Sequence, residues 1–112
     1  MDSIRQEKVN ALLVRDISEI IREEGSAILP GVMISVTEVR VSPDLGYSKV
    51  FVSFFPTNDK LEAIETLQKR SGEVRFKLGK KIGKQVRVIP ELNFILDDSI
   101  DRANRIDELL KP

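Results

Sequence analysis

KRSGEVRFKLGKKIGKQVR, residues 69–87, carries eight basic side chains, Lys69, Arg70, Arg75, Lys77, Lys80, Lys81, Lys84 and Arg87, against one acid, Glu73. Within it Val74, Leu78 and Ile82 recur at i, i+4 and i+8, the spacing of one helical face. The pair Ser71-Gly72 interrupts a helical pattern that begins well upstream, with Leu61, Ile64 and Leu67. The stretch therefore predicts a broken helix, one piece ending near residue 70 and a second starting after Gly72 and stopping at Gly83. That break decides the fold, because it places a helix-break-helix unit between two β segments.

The charge of the same stretch is the second signal. It sums to +7 in a chain of 112 residues whose net charge is zero, so residues 1–68 (−4) and 91–112 (−3) hold the compensating acid. Cations gathered this way are the footprint of a polyanion-binding surface, though a solvated helix face shows the same pattern. Lys77, Lys80, Lys81 and Lys84 project from roughly one quadrant of the second helical piece, and Phe76 lies nearly opposite its apolar stripe. Phe76 could lie on a nucleobase, but a packing role against a loop is the ordinary expectation for a Phe. Ser71 is the expected N-cap of the second piece. Its free N–H groups, with Lys69, Arg70 and Arg75 around them and Gly72 allowing close approach, would make an anion site.

Composition narrows the function classes. The chain is 41% hydrophobic and 32% charged, the balance of a globular domain, with no apolar run long enough to span a membrane. Cysteine and histidine are both absent. There is no disulfide framework, no thiol nucleophile and no thiolate metal site, and the commonest general base is missing. A reducing compartment, the cytoplasm, fits best. A catalytic role would need a metal held by carboxylates, such as Asp97, Asp98 and Asp101; a cap for a short terminal helix is the better reading of those acids.

Upstream, Val9, Leu12, Leu13, Ile17, Ile20 and Ile21 predict an amphipathic helix over Ser3–Glu24, ended by Gly25 and Pro30-Gly31. Val32–Val41 and Tyr47–Phe55 alternate as an antiparallel pair, with a change of phase suggesting a bulge near Glu38. The turn between them, Ser42-Pro43-Asp44-Leu45-Gly46, is expected to reverse at Gly46. Phe51 and Phe55 mark either a second buried face or an open sheet surface. Thr57 or Asn58 is the expected cap of the next helix, and Lys84–Ile89 the expected third strand with Val86 and Val88 inward, interrupted by Pro90, which leaves Leu92–Leu96 as an irregular edge continuation or a separate extended piece. Ile100, Ala103, Ile106, Leu109 and Leu110 suggest a terminal helix or tail, dividing the chain into 1–96 and 97–112. Three strands with helices on one side make an α+β fold.

Read as ordered segments, the chain resembles the ribosome-binding factor A family over nearly all its length. The likeness is carried by Val36-Thr37-Glu38-Val39-Arg40-Val41-Ser42-Pro43-Asp44-Leu45, Ser48-Lys49-Val50-Phe51-Val52-Ser53, Ser71-Gly72, Val74-Arg75, Leu78-Gly79-Lys80, Pro90-Glu91-Leu92-Asn93-Phe94 and Asp97-Asp98-Ser99. The resemblance implies a type II KH-like fold with a three-stranded mixed sheet, in which an Ala-x-Gly kink replaces the glycine-rich loop of ordinary KH domains. Here the kink reads Arg70-Ser71-Gly72: the Gly stands, and Arg, which cannot be buried as Ala can, takes the first place.

It also implies a non-catalytic assembly factor, a monomer without cofactor. Such a factor binds the small ribosomal subunit and helps late rRNA maturation, including 5′-end processing. Lys69, Arg70, Ser71, Gly72, Arg75, Lys77, Lys80, Lys81, Lys84 and Arg87 are the expected RNA-binding residues. The competing expectation is a protein-interaction module that uses a strand edge or the terminal helix while the lysines only solubilise.

Overall fold

The structure, a computed structural model, describes residues 3–57 and 59–97. Helix α1 spans Ile4–Ile28 and opens with a capping box: Ser3 accepts from Gln6 N, and the Gln6 side chain accepts from Ser3 N. Leu13, Ile17, Ile20 and Ile21 are its fully buried face. The stop expected at Gly25 is not used. Gly25 lies within the helix and buried, where a Cβ would stand 3.6 Å from Ile34 Cδ1, so bare backbone brings the helix close to the first strand. The chain turns only beyond Leu29, at Pro30-Gly31, where Gly31 adopts φ 78°.

Strands β1 (Met33–Val41) and β2 (Tyr47–Phe55) pair antiparallel from Met33↔Phe55 to Val41↔Ser48, with a register shift between Val36 and Glu38. The alternation predicted both strands and that bulge. The turn differs in detail, since Leu45 and not Gly46 takes the left-handed conformation, at φ 63°. Leu45 tolerates it because its side chain is buried and the turn is tied by Asp44, which accepts from Ser42 Oγ at 2.6 Å and Gly46 N at 3.0 Å. Those two hydrogen bonds hold the Asp44 carboxyl below its ordinary pKa.

The third strand is not Lys84–Ile89. β3 is Glu91–Leu96, parallel to β2 from Tyr47↔Glu91 to Val52↔Leu96, so the sheet is mixed and ordered β1-β2-β3. A parallel neighbour must enter at the same end as β2, and residues 84–90 are the last part of the crossover that returns the chain to that end. Val86 and Ile89 pack partly on the core while Val88 is 46% exposed, so the segment has no strand-like alternation of burial; Pro90 is buried at the strand entrance.

Two helices fill the crossover, α2 (Lys60–Lys69) and α3 (Ser71–Ile82). Asp59 caps α2, accepting from Glu62 N at 2.9 Å, whereas the caps expected were Thr57 and Asn58; Asn58 lies outside the described residues. Its buried positions are Ala63 and Leu67, and Leu61, expected in the stripe, is 72% exposed. In α3 the expected stripe holds, with Val74, Leu78 and Ile82 all buried. Helices cover one sheet face: Val39 and Val41, then Ser48, Val50, Val52 and Phe54, then Leu92 and Phe94 are buried, while Tyr47 and Phe55 remain exposed. The result is the α+β, KH-like order helix-strand-strand-helix-kink-helix-strand.

Candidate nucleic-acid interface

A single residue, Arg70, separates α2 from α3, with φ −99° and ψ 8°. Its N–H donates back to Leu67 O at 3.0 Å, and its carbonyl accepts from Glu73 N at 3.1 Å, so the kink keeps its backbone hydrogen-bonded on both sides. Arg70, not Ser71, occupies the N-cap position and provides no side-chain cap. Ser71 Oγ accepts instead from Gln68 Nε2 at 3.4 Å. The Arg70 side chain is partly covered, its Nε 2.9 Å from Glu73 Oε1 though without hydrogen-bond alignment to it. The positive end of α3 therefore already has one carboxylate of its own nearby. Gly72 is exposed and open: a Cβ there would meet nothing within 4 Å.

Gln68, which no motif or periodicity singles out, holds this kink to the sheet. Its Oε1 accepts from Phe94 N at 2.8 Å and its Nε2 donates to Leu92 O at 3.2 Å, along the outer edge of β3. Arg75 ties the far side, donating from Nε to Pro90 O at 3.2 Å and from Nη2 to Ile89 O at 2.8 Å. The guanidinium expected to meet phosphate thus also fixes the crossover.

The four lysines of the predicted quadrant do not act as one group. Lys77 pairs with Glu24 and Lys81 with Glu19 at 2.9 Å, both on α1, because α1 packs along that flank of α3. The hydrogen bond and charge of Lys81 pull the Glu19 pKa down, and donating that hydrogen bond to Glu19 pushes the Lys81 pKa up. Lys80 turns the other way, its ammonium 4.6 Å from the centre of the Phe76 ring. Phe76 is 65% exposed, so the packing role expected for it is not what the fold uses. Lys69, Lys84 and Arg87 are exposed and make no ion pair among the described residues. What remains is Lys69, Lys80, Lys84 and Arg87 with no carboxylate partner among the described residues, Lys80 standing beside Gly72, Arg75 and Phe76.

The description "Ribosome-binding factor A" belongs to the family model that matches residues 5–110. The chain belongs to the ribosome-binding factor A family. Among its relatives, the ribosome-binding factor A of Cytophaga hutchinsonii is 40% identical over 110 residues, covering 98% of this chain and 83% of the relative. The crystal structure of ribosome-binding factor A from Thermus thermophilus shares the fold, with a TM-score of 0.68 at 23% identity over 81% of this chain and 94% of the other. A homology model of the Thermus thermophilus factor, fitted into a cryo-EM map of a 30S–RbfA complex, matches with a TM-score of 0.60 at 23% identity, over 80% and 91% of the two chains.

The acidic cluster suggested at the end of the chain falls mostly outside the described residues. Of its members only Asp97 is described, and it accepts from Thr37 Oγ1 at 2.5 Å. The proposed terminal helix lies outside them as well.

Proposed function

We propose that this chain is a non-catalytic ribosome assembly factor of the cytoplasm that binds the small (30S) subunit and assists late maturation of 16S rRNA, including its 5′ end. Family membership supports the ribosome as target, and the group of unpaired cations on α3 and its two ends carries the RNA-binding reading. Lys69, Lys80, Lys84 and Arg87 are free to meet phosphates without first breaking an internal ion pair, which makes them the primary contacts. Arg70, Ser71, Gly72 and Arg75 frame the kink beside them. Lys77 and Lys81 sit at the rim and hold α3 against α1. With one helix flank neutralised by the chain's own glutamates and the other left positive, a docked orientation is selected by charge.

Sedimentation of the purified full chain with isolated subunits tests this reading. The expected result is co-migration with 30S and not 50S subunits, and protection of rRNA positions from chemical probing. Migration with 50S subunits, or 30S binding that survives nuclease digestion and high salt unchanged, would replace it with a protein-directed mode of docking.

A further inference from the structure

Beside Phe76 is an open cleft of about 490 Å3, lined by Gly72, Arg75, Phe76, Gly79, Lys80 and Ile89. Its construction is unusual for a helix surface. Phe76 leaves most of a large apolar ring in water. Side chains on a helix lean toward the preceding turn, and for Phe76 that turn holds Gly72, which has nothing to cover the ring. Neither cleft glycine is demanded by the fold: a Cβ at Gly72 would touch nothing within 4 Å, and one at Gly79 would make an ordinary 3.6 Å contact with Ile89 Cγ1. Gly79 lies inside α3, where glycine is a poorer helix former than alanine, and Gly72 lies in its first turn. The far wall is pre-set, since the Arg75 guanidinium is pinned by the carbonyls of Ile89 and Pro90. Lys80 stands over the ring and brings positive charge to the rim.

We infer that this cleft takes one unpaired nucleobase of a single-stranded RNA segment, stacked against Phe76, with its backbone phosphates led away toward Lys80 and Lys84. The inference rests on the RNA-binding reading above and adds the chemistry of the contact. A phosphate alone would find apolar walls and an aromatic ring in the way. An apolar protein side chain would match the walls but gain nothing from the unpaired cations around them. A base joined to phosphates uses both, because every base offers a π face and each linkage an anion. The bare backbone at Gly72 and Gly79 supplies the room that a flat ring needs.

The test uses the full-length chain and two oligoribonucleotides of about ten nucleotides, one carrying bases throughout and one abasic at its central positions. Wild-type protein is expected to bind the base-bearing strand about fivefold or more tightly than the abasic one, the preference of a single stacked base. Phe76→Ala removes that preference and leaves abasic binding unchanged, since no charge is altered. Gly72→Leu also removes the preference, by filling the cleft from an open position, and its unaltered melting temperature shows that the fold is intact. Phe76→Trp retains the preference. Equal wild-type affinity for both strands, or a preference that survives Phe76→Ala, overturns the nucleobase assignment while leaving RNA binding in place. Phe76→Ala weakening 30S co-sedimentation without changing oligonucleotide discrimination overturns it in favour of a ribosomal protein group. Failure to bind either strand at low salt overturns both this inference and the reading on which it rests.

Discussion

Gln68 presents an amide to the outer edge of β3 as a neighbouring strand would, accepting from Phe94 N and donating to Leu92 O. At the opposite edge Asn10 Oδ1 accepts from Val41 N at 2.8 Å, and Gln6 Nε2 donates to Val41 O at 3.1 Å. Side-chain amides thus satisfy backbone groups where the sheet has no further strand, which also obstructs edge-to-edge pairing with another chain. Gln68→Ala leaves the Phe94 N–H without its partner, and the expected cost is about 1–3 kcal/mol in urea unfolding with the denaturant slope unchanged. Gln68→Glu, which accepts but cannot donate to Leu92 O, falls between the two. A Gln68→Ala chain as stable as wild type would show that the kink is held by packing alone. Nothing local to the sequence marks Gln68, because its partners lie 24 and 26 residues away on a strand whose position the apolar pattern misplaced.

At the scale of elements, α1 and α3 are joined by a buried apolar seam and, at its margin, by Lys77 with Glu24 and Lys81 with Glu19. The Glu19 pKa is lowered in the fold, so its contribution is present above the ordinary carboxylate value and is lost as pH falls through the lowered one. The Lys81 pKa is raised, so its share is present below the ordinary lysine value and is lost as pH rises through the raised one. The pair is therefore complete across neutral pH and weakens at both extremes. Urea unfolding of wild type and Glu19→Gln over a pH series checks this: the stability difference should be constant near neutrality and shrink in acid. A difference that persists unchanged through the acid range contradicts the pairing. The stripe of α3 and the alternation of β1 and β2 were legible in the sequence because each periodicity maps directly onto one buried face. The α2 stripe was legible at Ile64 and Leu67 but not at Leu61, since Ala63 reaches the core in its place, and the Val86 and Val88 alternation mimicked a strand although Val88 is exposed and Val86 and Ile89 pack on the core.

For the whole molecule, a chain of zero net charge is polarised along one helix. The concentration of cations in residues 69–87 was legible at once, and so was the break near Gly72. Their division was not, because it depends on α1 bringing Glu19 and Glu24 to one flank of α3 from more than 50 residues away in the chain. That division sorts the cations into two classes, those spent on the fold and those left for a partner. The most direct test is the affinity for 30S subunits measured against salt concentration. With Lys69, Lys80, Lys84 and Arg87 engaged, the log-log slope should be about −3 to −4, and replacing all four by Gln should bring it close to zero with little loss of melting temperature. A flat response in the wild type, or a slope that the four substitutions leave unchanged, would contradict the account.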